Sequence, residues 1–164
     1  MSKFYSTKTY GNEQGFSCCF RQWRATHSHC SLLHGYSIGI KLTFECEQLD
    51  ERNWVMDFGG LKQFKEWAKY MFDHTLLIAE DDPYLDRFKE LADVGVLNTP
   101  QYTGLVDLRV VPGVGCEKFA QLAYYTMTNI LEEAKTAGTL LNPTVRVKSV
   151  EVFEHGANSA IYEA

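Results

Sequence analysis

The sequence predicts an α+β fold, an antiparallel sheet with two helices packed on one face, and three observations predict it. Residues 36–47 alternate apolar and polar with a period of two, two long segments repeat apolar residues at helical spacing, and a second alternating run lies near the C-terminus. The order is therefore strand, strand, helix, helix, strand, strand, and helices gathered on one side of an antiparallel sheet define the class. At 164 residues the chain is long enough for one domain with its own core. No repeat, linker or low-complexity tract divides it.

The clearest strand carries Tyr36, Ile38, Ile40, Leu42, Phe44 and Cys46 on one face and Ser37, Lys41, Thr43, Glu45 and Glu47 on the other. Phe16 to Arg21 is apolar enough to be its antiparallel partner, joined through the polar, histidine-rich connection Gln22 to Leu33. That connection is too long for a tight turn, and long loops in compact domains often carry function. Leu61, Phe64, Ala68, Met71 and Phe72 predict an amphipathic helix over 60–72 whose C-terminal end delivers Asp73-His74.

The stretch 79–104 is rich in charge, has Pro83 and Pro100 near its edges and a short helix around 84–92, and reads as an insertion within the domain. Val106, Leu108 and Val110 mark a third strand ending at Pro112-Gly113. A second long helix starts near Gly115, buries Phe119, Leu122, Ala123, Met127, Ile130 and Leu131, and stops before Gly138. The last long strand runs over 145–154, with Arg146, Lys148, Val150, Val152 and Glu154 on one face and Val145, Val147, Ser149, Glu151 and Phe153 on the other. Ser159 to Tyr162 extends the sheet.

Composition narrows the function classes. A net charge of -5 without clustered Lys and Arg argues against a nucleic-acid surface and for a small-molecule or protein partner. No apolar run approaches the roughly 18 to 20 residues needed to span a bilayer, and the first residues lack the apolar stretch of a secretion signal, so the expected location is cytoplasmic. Five cysteines (Cys18, Cys19, Cys30, Cys46 and Cys116), an odd set without a CxxC pair, fit reduced thiols.

The ordered set Phe16-Ser17-Cys18-Cys19-Phe20, Cys30-x-x-Leu33-His34-Gly35-Tyr36, Val55-Met56-Asp57-Phe58-Gly59-Gly60, Phe72-Asp73-His74, Cys116-Glu117-Lys118 and Val152-Phe153-Glu154 resembles the 6-pyruvoyl- and 6-carboxy-tetrahydropterin synthases along nearly the whole chain. The resemblance implies the tunnelling fold, in which sheets from several subunits close into a barrel with pterin sites between subunits, and a hexamer of two trimers. It implies that Cys30 is the catalytic base or thiol, assisted by Asp73 and His74. Removing a proton from carbon beside a C=N or C=O group needs a base tuned near neutral pH, and a thiol beside a carboxylate-backed imidazole is such a device. The competing reading makes Cys30 a buried filler and Asp73-His74 a helix C-terminal pair. Glu154 matches the family's pterin anchor, where a carboxylate accepts two adjacent N–H groups in a planar fork. Glu117 matches a second polar contact, although the threonine that precedes it in the family is Gly115 here.

The family binds zinc through three histidines, and the matching positions here are Phe20, His34 and Tyr36. One ligand, His34, survives, whereas a catalytic zinc keeps three protein ligands and an open position. His27 and His29, in the loop entering the same region, are the replacement ligands a rebuilt zinc site would use; without one, Arg21, Arg24 or the Tyr36 phenol would have to supply electrophilic stabilisation. Two functions stay open. One is a lyase acting on a dihydroneopterin triphosphate-like pterin, on a route to a queuosine-type deazapurine or a pterin cofactor; the other is a metal-free pterin- or purine-binding protein of the same fold.

Overall fold

Two four-stranded sheets organise the chain in the computed structural model, which describes residues 2–94 and 104–164. The strands are β1 (Phe4–Tyr10), β2 (Ser17–Phe20), β3 (His34–Ser37), β4 (Gly39–Cys46), β5 (Thr75–Ala79), β6 (Leu108–Val111), β7 (Arg146–His155) and β8 (Asn158–Tyr162). The helices are α1 (Lys62–Phe72), α2 (Leu85–Asp93) and α3 (Cys116–Thr136). The first sheet, in the order β1-β4-β7-β8, is wholly antiparallel. The second, β3-β2-β5-β6, is mixed: β2 runs antiparallel to β3 and parallel to β5, which runs parallel to β6.

The run 36–47, expected as one strand, is two. Ile38, fully buried, donates its N–H to the Phe16 carbonyl at 3.1 Å, and the chain leaves the second sheet there to enter the first at Gly39. The alternation is unbroken because both halves turn the same face to the core. Phe16 to Arg21 pairs as expected, with Ser17 opposite Ser37 and Phe20 opposite His34.

Helix α3 lies on β7 and β8, and α1 packs beside α3 and onto β5. Ile40, Leu42 and Phe44 of β4, Phe64 and Phe72 of α1, and Phe119 and Met127 of α3 are fully buried in the main core. Each such side chain contributes about 1.5–3 kcal/mol on burial. Helix α1 is launched by a 3-10 turn over Phe58–Leu61, capped by the Asp57 carboxylate, which accepts the Gly59 N–H at 2.8 Å. Gly138, just past α3, adopts φ 69°, the left-handed conformation expected of a glycine that ends a helix.

In β7 the register against β4 slips between Thr43, opposite Ser149, and Phe44, opposite Val147, so Lys148 is an extra residue in a bulge. Val147 therefore joins Val150 and Val152 in the core instead of pointing away from them. Strand β1, absent from the sequence expectation, pairs with β4 along its whole length; its inward positions Ser6 and Lys8 gave no apolar alternation.

Strand β5 was also unforeseen. It is buried at every position, so its sequence Thr-Leu-Leu-Ile-Ala shows no period of two. Leu77 enters the main core, whereas Leu76 and Ile78 meet Phe88 of α2 in a second, smaller core flanked by Leu85, Val106 and Leu108. The expected insertion at 79–104 thus begins where β5 ends and folds back onto the outer face of the second sheet; residues 95–103 of it, with Pro100, lie outside the described residues.

The face of the first sheet turned away from the helices carries Thr7, Thr9, Lys41, Thr43 and Glu151, none of them buried, and β1 and β8 are open edges. A barrel completed by further copies needs such edges. Among the described residues no helix is long and apolar enough to cross a membrane.

Candidate functional site

The pairing of β2 with β3 sets Phe20 and Tyr36 on one face, with ring centroids 3.9 Å apart and planes 11° from parallel. Phe119 meets Phe20 edge-on at 5.0 Å, and Phe72 meets Phe119 at 5.2 Å. On the outer side His34 lies 4.4 Å from Tyr36, and His29 lies 6.4 Å from His34. An aromatic column therefore runs from the core between α1 and α3 to the loop before β3. Its inner members are buried, and Tyr36 and His34 are half-buried at its mouth.

Tyr36 is the electrostatic meeting point of the region. Burial, then the charges of Glu154, Cys30, Cys116 and Cys18, push its phenol up to about 12. Burial and the carboxylates of Glu154 and Glu117 likewise push the Cys116 thiol up to about 12, so it is a protonated, inert sulfur at neutral pH. Cys30 and Glu154, two of the residues singled out in the sequence, thus both act on the one phenol, and Glu117 acts with Glu154 on the Cys116 thiol.

Backbone connections hold these parts in place. Asn12 donates from Nδ2 to the carbonyls of both Ser37 and Glu154, the latter at 3.1 Å, tying the end of β3 to the end of β7. Phe153, just before Glu154, lies over Gly39, where a Cβ would stand 2.2 Å from its ring. Gly115, at the start of α3, has φ 110°, and a Cβ there would fall 2.6 Å from Nε2 of Gln22 and 3.5 Å from Oε2 of Glu117. A threonine would be strained at this φ, and the glycine leaves the space to the Gln22 amide.

Cys30 sits half-buried in a 3-10 turn over His29–Ser31, capped by Ser28, whose hydroxyl accepts the Cys30 N–H at 3.2 Å. Its carbonyl accepts the Gln22 N–H at 2.8 Å. The neighbouring Arg21 is paired in a fork with Asp82, at 2.8 and 2.9 Å, and donates to the Ser31 carbonyl at 3.3 Å. Burial alone would raise the Asp82 carboxyl, but the hydrogen bonds from Arg21 and the Tyr84 N–H, with the Arg21 charge, outweigh it and hold it below the usual carboxylate range. Arg24 is paired with Asp81 at 2.9 Å. Both arginines, named as possible sources of electrophilic stabilisation, are engaged in ion pairs with Asp82 and Asp81.

Asp73 and His74 lie at the other end of β2. The His74 N–H donates to the Ser17 carbonyl at 2.7 Å, and its φ of 59° swings the chain out of α1 into β5. Nδ1 of His74 meets Oδ1 of Asp73 at 2.5 Å, while 85% of the imidazole side chain is exposed. An ionised carboxylate only accepts, so the proton sits on Nδ1 and Nε2 points outward. Strand β2 itself, Ser17 to Phe20, rises roughly 10 Å at strand spacing, and Gln22, whose N–H holds the Cys30 carbonyl, lies two residues beyond it. The Cys30 turn and the Asp73–His74 pair are thus attached at opposite ends of β2.

The expected zinc positions converge, but as a set their donors do not fit the ion. Phe20 offers no lone pair, Tyr36 is a neutral phenol, and His34, whose Nδ1 meets the Leu32 carbonyl at 2.9 Å, leaves Nε2 as the one imidazole donor of the three. His29 approaches His34, but His27 is exposed, and among the described residues no three His, Cys, Asp or Glu side chains gather closely enough to hold a metal ion. Sequence reasoning missed Asn12, Gln22 and Cys116 as parts of the site. Only Cys116 carried a signal, its place in the Cys-Glu-Lys motif; the others act through contacts across long stretches of sequence.

Comparison with known proteins places the chain and its fold. A 6-carboxy-5,6,7,8-tetrahydropterin synthase of Aquifex aeolicus is 27% identical over 137 residues, covering 82% of this chain and 75% of the relative. One from Rickettsia typhi is 35% identical over 54 residues, a match that spans 32% of this chain and only 39% of that relative's length. The fold is similar to that of an uncharacterized protein, WS1659, from Wolinella succinogenes, with TM-score 0.72 at 20% identity over 99% of both chains. It is also similar to the Plasmodium falciparum 6-pyruvoyl tetrahydropterin synthase, with TM-score 0.63 at 16% identity over 100% of this chain and 99% of that one. The family model for 6-pyruvoyl tetrahydropterin synthase matches residues 10–164, and the chain belongs to that family.

Proposed function

We propose that this protein is a pterin-processing lyase of the tetrahydropterin synthase type, acting in the cytoplasm on a reduced pterin with a dihydroneopterin triphosphate-like side chain. The observation that carries the reading is the placement, in a chain of this family, of the Cys30 turn beside the His29–His34–Tyr36 rings and of Glu154 at the end of β3 through Asn12, with both groups acting on the Tyr36 phenol. In this reading the Glu154 carboxylate accepts the paired N–H groups of the pterin ring, and Cys30 takes a proton from the side-chain carbon beside the ring. His74, oriented through Nδ1 by Asp73, exchanges the second proton through Nε2. Because the two groups lie at opposite ends of β2, a neighbouring copy of the chain brings His74 to Cys30, in keeping with a barrel-forming oligomer, which we take to be a hexamer. Glu117 is a secondary ring contact.

The competing reading is a pterin- or purine-binding protein without lyase chemistry, and the observation in its favour is the Phe20–Tyr36 stack where the family places zinc ligands. Turnover and binding separate the two. Cys30→Ala should reduce turnover of the pterin triphosphate at least a thousandfold with little change in affinity, and Glu154→Ala should weaken binding about tenfold or more. Cys30→Ala with wild-type turnover sinks the lyase mechanism, and tight binding without turnover by the wild type selects the binder.

A further inference from the structure

Phe20, His34 and Tyr36 are not scattered: β2–β3 pairing sets their rings in one column, at 3.9 Å between Phe20 and Tyr36 and 4.4 Å between His34 and Tyr36. The place of a metal is therefore rebuilt, with a different kind of contact. Phe20 is 1% exposed and held edge-on by Phe119 at 5.0 Å, so its ring is part of the core and cannot turn outward without opening it. A three-coordinate imidazole site, which zinc needs to keep one position open for chemistry, has here one imidazole, one hydrocarbon ring and one phenol.

Tyr36 adds a chemical group at this point. Its ring is pinned between Phe20 and His34, yet among the described residues its hydroxyl has no hydrogen-bond partner. That hydroxyl is within electrostatic reach of Cys30 and Glu154, the two residues that the proposed function assigns to proton transfer and ring anchoring. A half-buried, immobilised O–H with no internal partner is a donor prepared for a ligand acceptor.

We infer that this site works without a metal, the Phe20–Tyr36 stack having taken the ion's structural place and the Tyr36 hydroxyl donating a hydrogen bond to an oxygen or nitrogen acceptor of the ligand. The structural half stands on the aromatic column alone; the hydrogen bond rests on the pterin reading above. Two readouts keep them apart.

The first is zinc titration of the purified full-length protein, followed by dialysis and elemental analysis. Wild type should retain less than about a tenth of an equivalent, and the double variant F20H/Y36H, checked for folding by its thermal transition, should retain about one. Stoichiometric zinc in wild type that is lost in His34→Ala overturns the inference, and that measurement holds even if the double variant does not fold. The second is equilibrium binding of a reduced pterin, followed by fluorescence, to wild type and Tyr36→Phe. The ring and its stack survive this change, so a purely structural role predicts equal affinity, which overturns the ligand contact; loss of a donated hydrogen bond predicts roughly tenfold weaker binding. If wild type binds no pterin at all, the functional reading fails and with it the ligand contact, while the zinc result still decides the metal.

Discussion

The two ends of β2 solve opposite problems. At the Phe20 end, side chains are locked into the core by ring contacts, a forked Arg21–Asp82 pair and the Cys30–Gln22 backbone bond. At the Ser17 end, Asp73 and His74 stand on a left-handed turn with the imidazole projecting into solvent. A non-glycine residue at positive φ costs of order 1 kcal/mol and needs surroundings that fix it, here the bond from its N–H to Ser17. The difference teaches that one part of the candidate site is fixed by packing within the chain, whereas the other is presented outward to solvent.

Core deletion should break this contrast most strongly. Phe20→Ala is expected to destabilise the protein by about 3–5 kcal/mol in chemical denaturation, because it opens the column between Tyr36 and Phe119. His74→Gly, which leaves the left-handed backbone unstrained, should change stability by less than about 1 kcal/mol while removing turnover. Comparable losses of stability at both positions would erase the distinction.

A middle-sized effect is expected at the ion pair. Asp82 is almost wholly enclosed and Arg21 only partly so, and Arg21→Ala should cost about 2–3 kcal/mol by stranding the carboxylate. The Asp82 carboxyl is held below its unfolded value, so its contribution is fully present above about pH 4 and is lost as pH falls through the lower folded value. Denaturation midpoints of wild type and variant should therefore converge in acid, and a gap that widens on acidification would show the pairing argument wrong.

The smallest difference lies among the thiols. At about pH 8 Cys116 and Cys18, both buried with thiols pushed up to about 12, should resist alkylation in the native state, and half-exposed Cys30 should be labelled first, as peptide mapping would show. Early labelling of Cys116 would mean that the α3 end of the site is open.

Much of this architecture is written in periodicity. Strand β4 and helices α1 and α3 bury one face against one core, and Leu42, Phe64 and Met127 recur where a regular element turns inward. Strand β5 is enclosed on both sides and β1 places Ser6 and Lys8 inward, so neither shows alternation. The Lys148 bulge inverts the phase of β7 midway, which no regular reading of Val147 and Val150 anticipates. At the site, strand pairing was enough to align Phe20 with His34 and Tyr36. Asn12, by contrast, joins residues 25 and 142 positions away through carbonyls, and carbonyls leave no mark on a sequence.

Strand β5 is a rod shared between two oily compartments. Leu77 belongs to one, Leu76 and Ile78 to the other, and the latter pair is covered by Phe88 and Leu85 from the excursion beyond Ala79, with Cys19, Val106 and Leu108 around them. A shortened chain lacking that excursion would present a sticky, fully extended stripe to solvent and clump, unless polar side chains replaced both aliphatics. The helix after Ala79 is thus tied to the fold through what it covers.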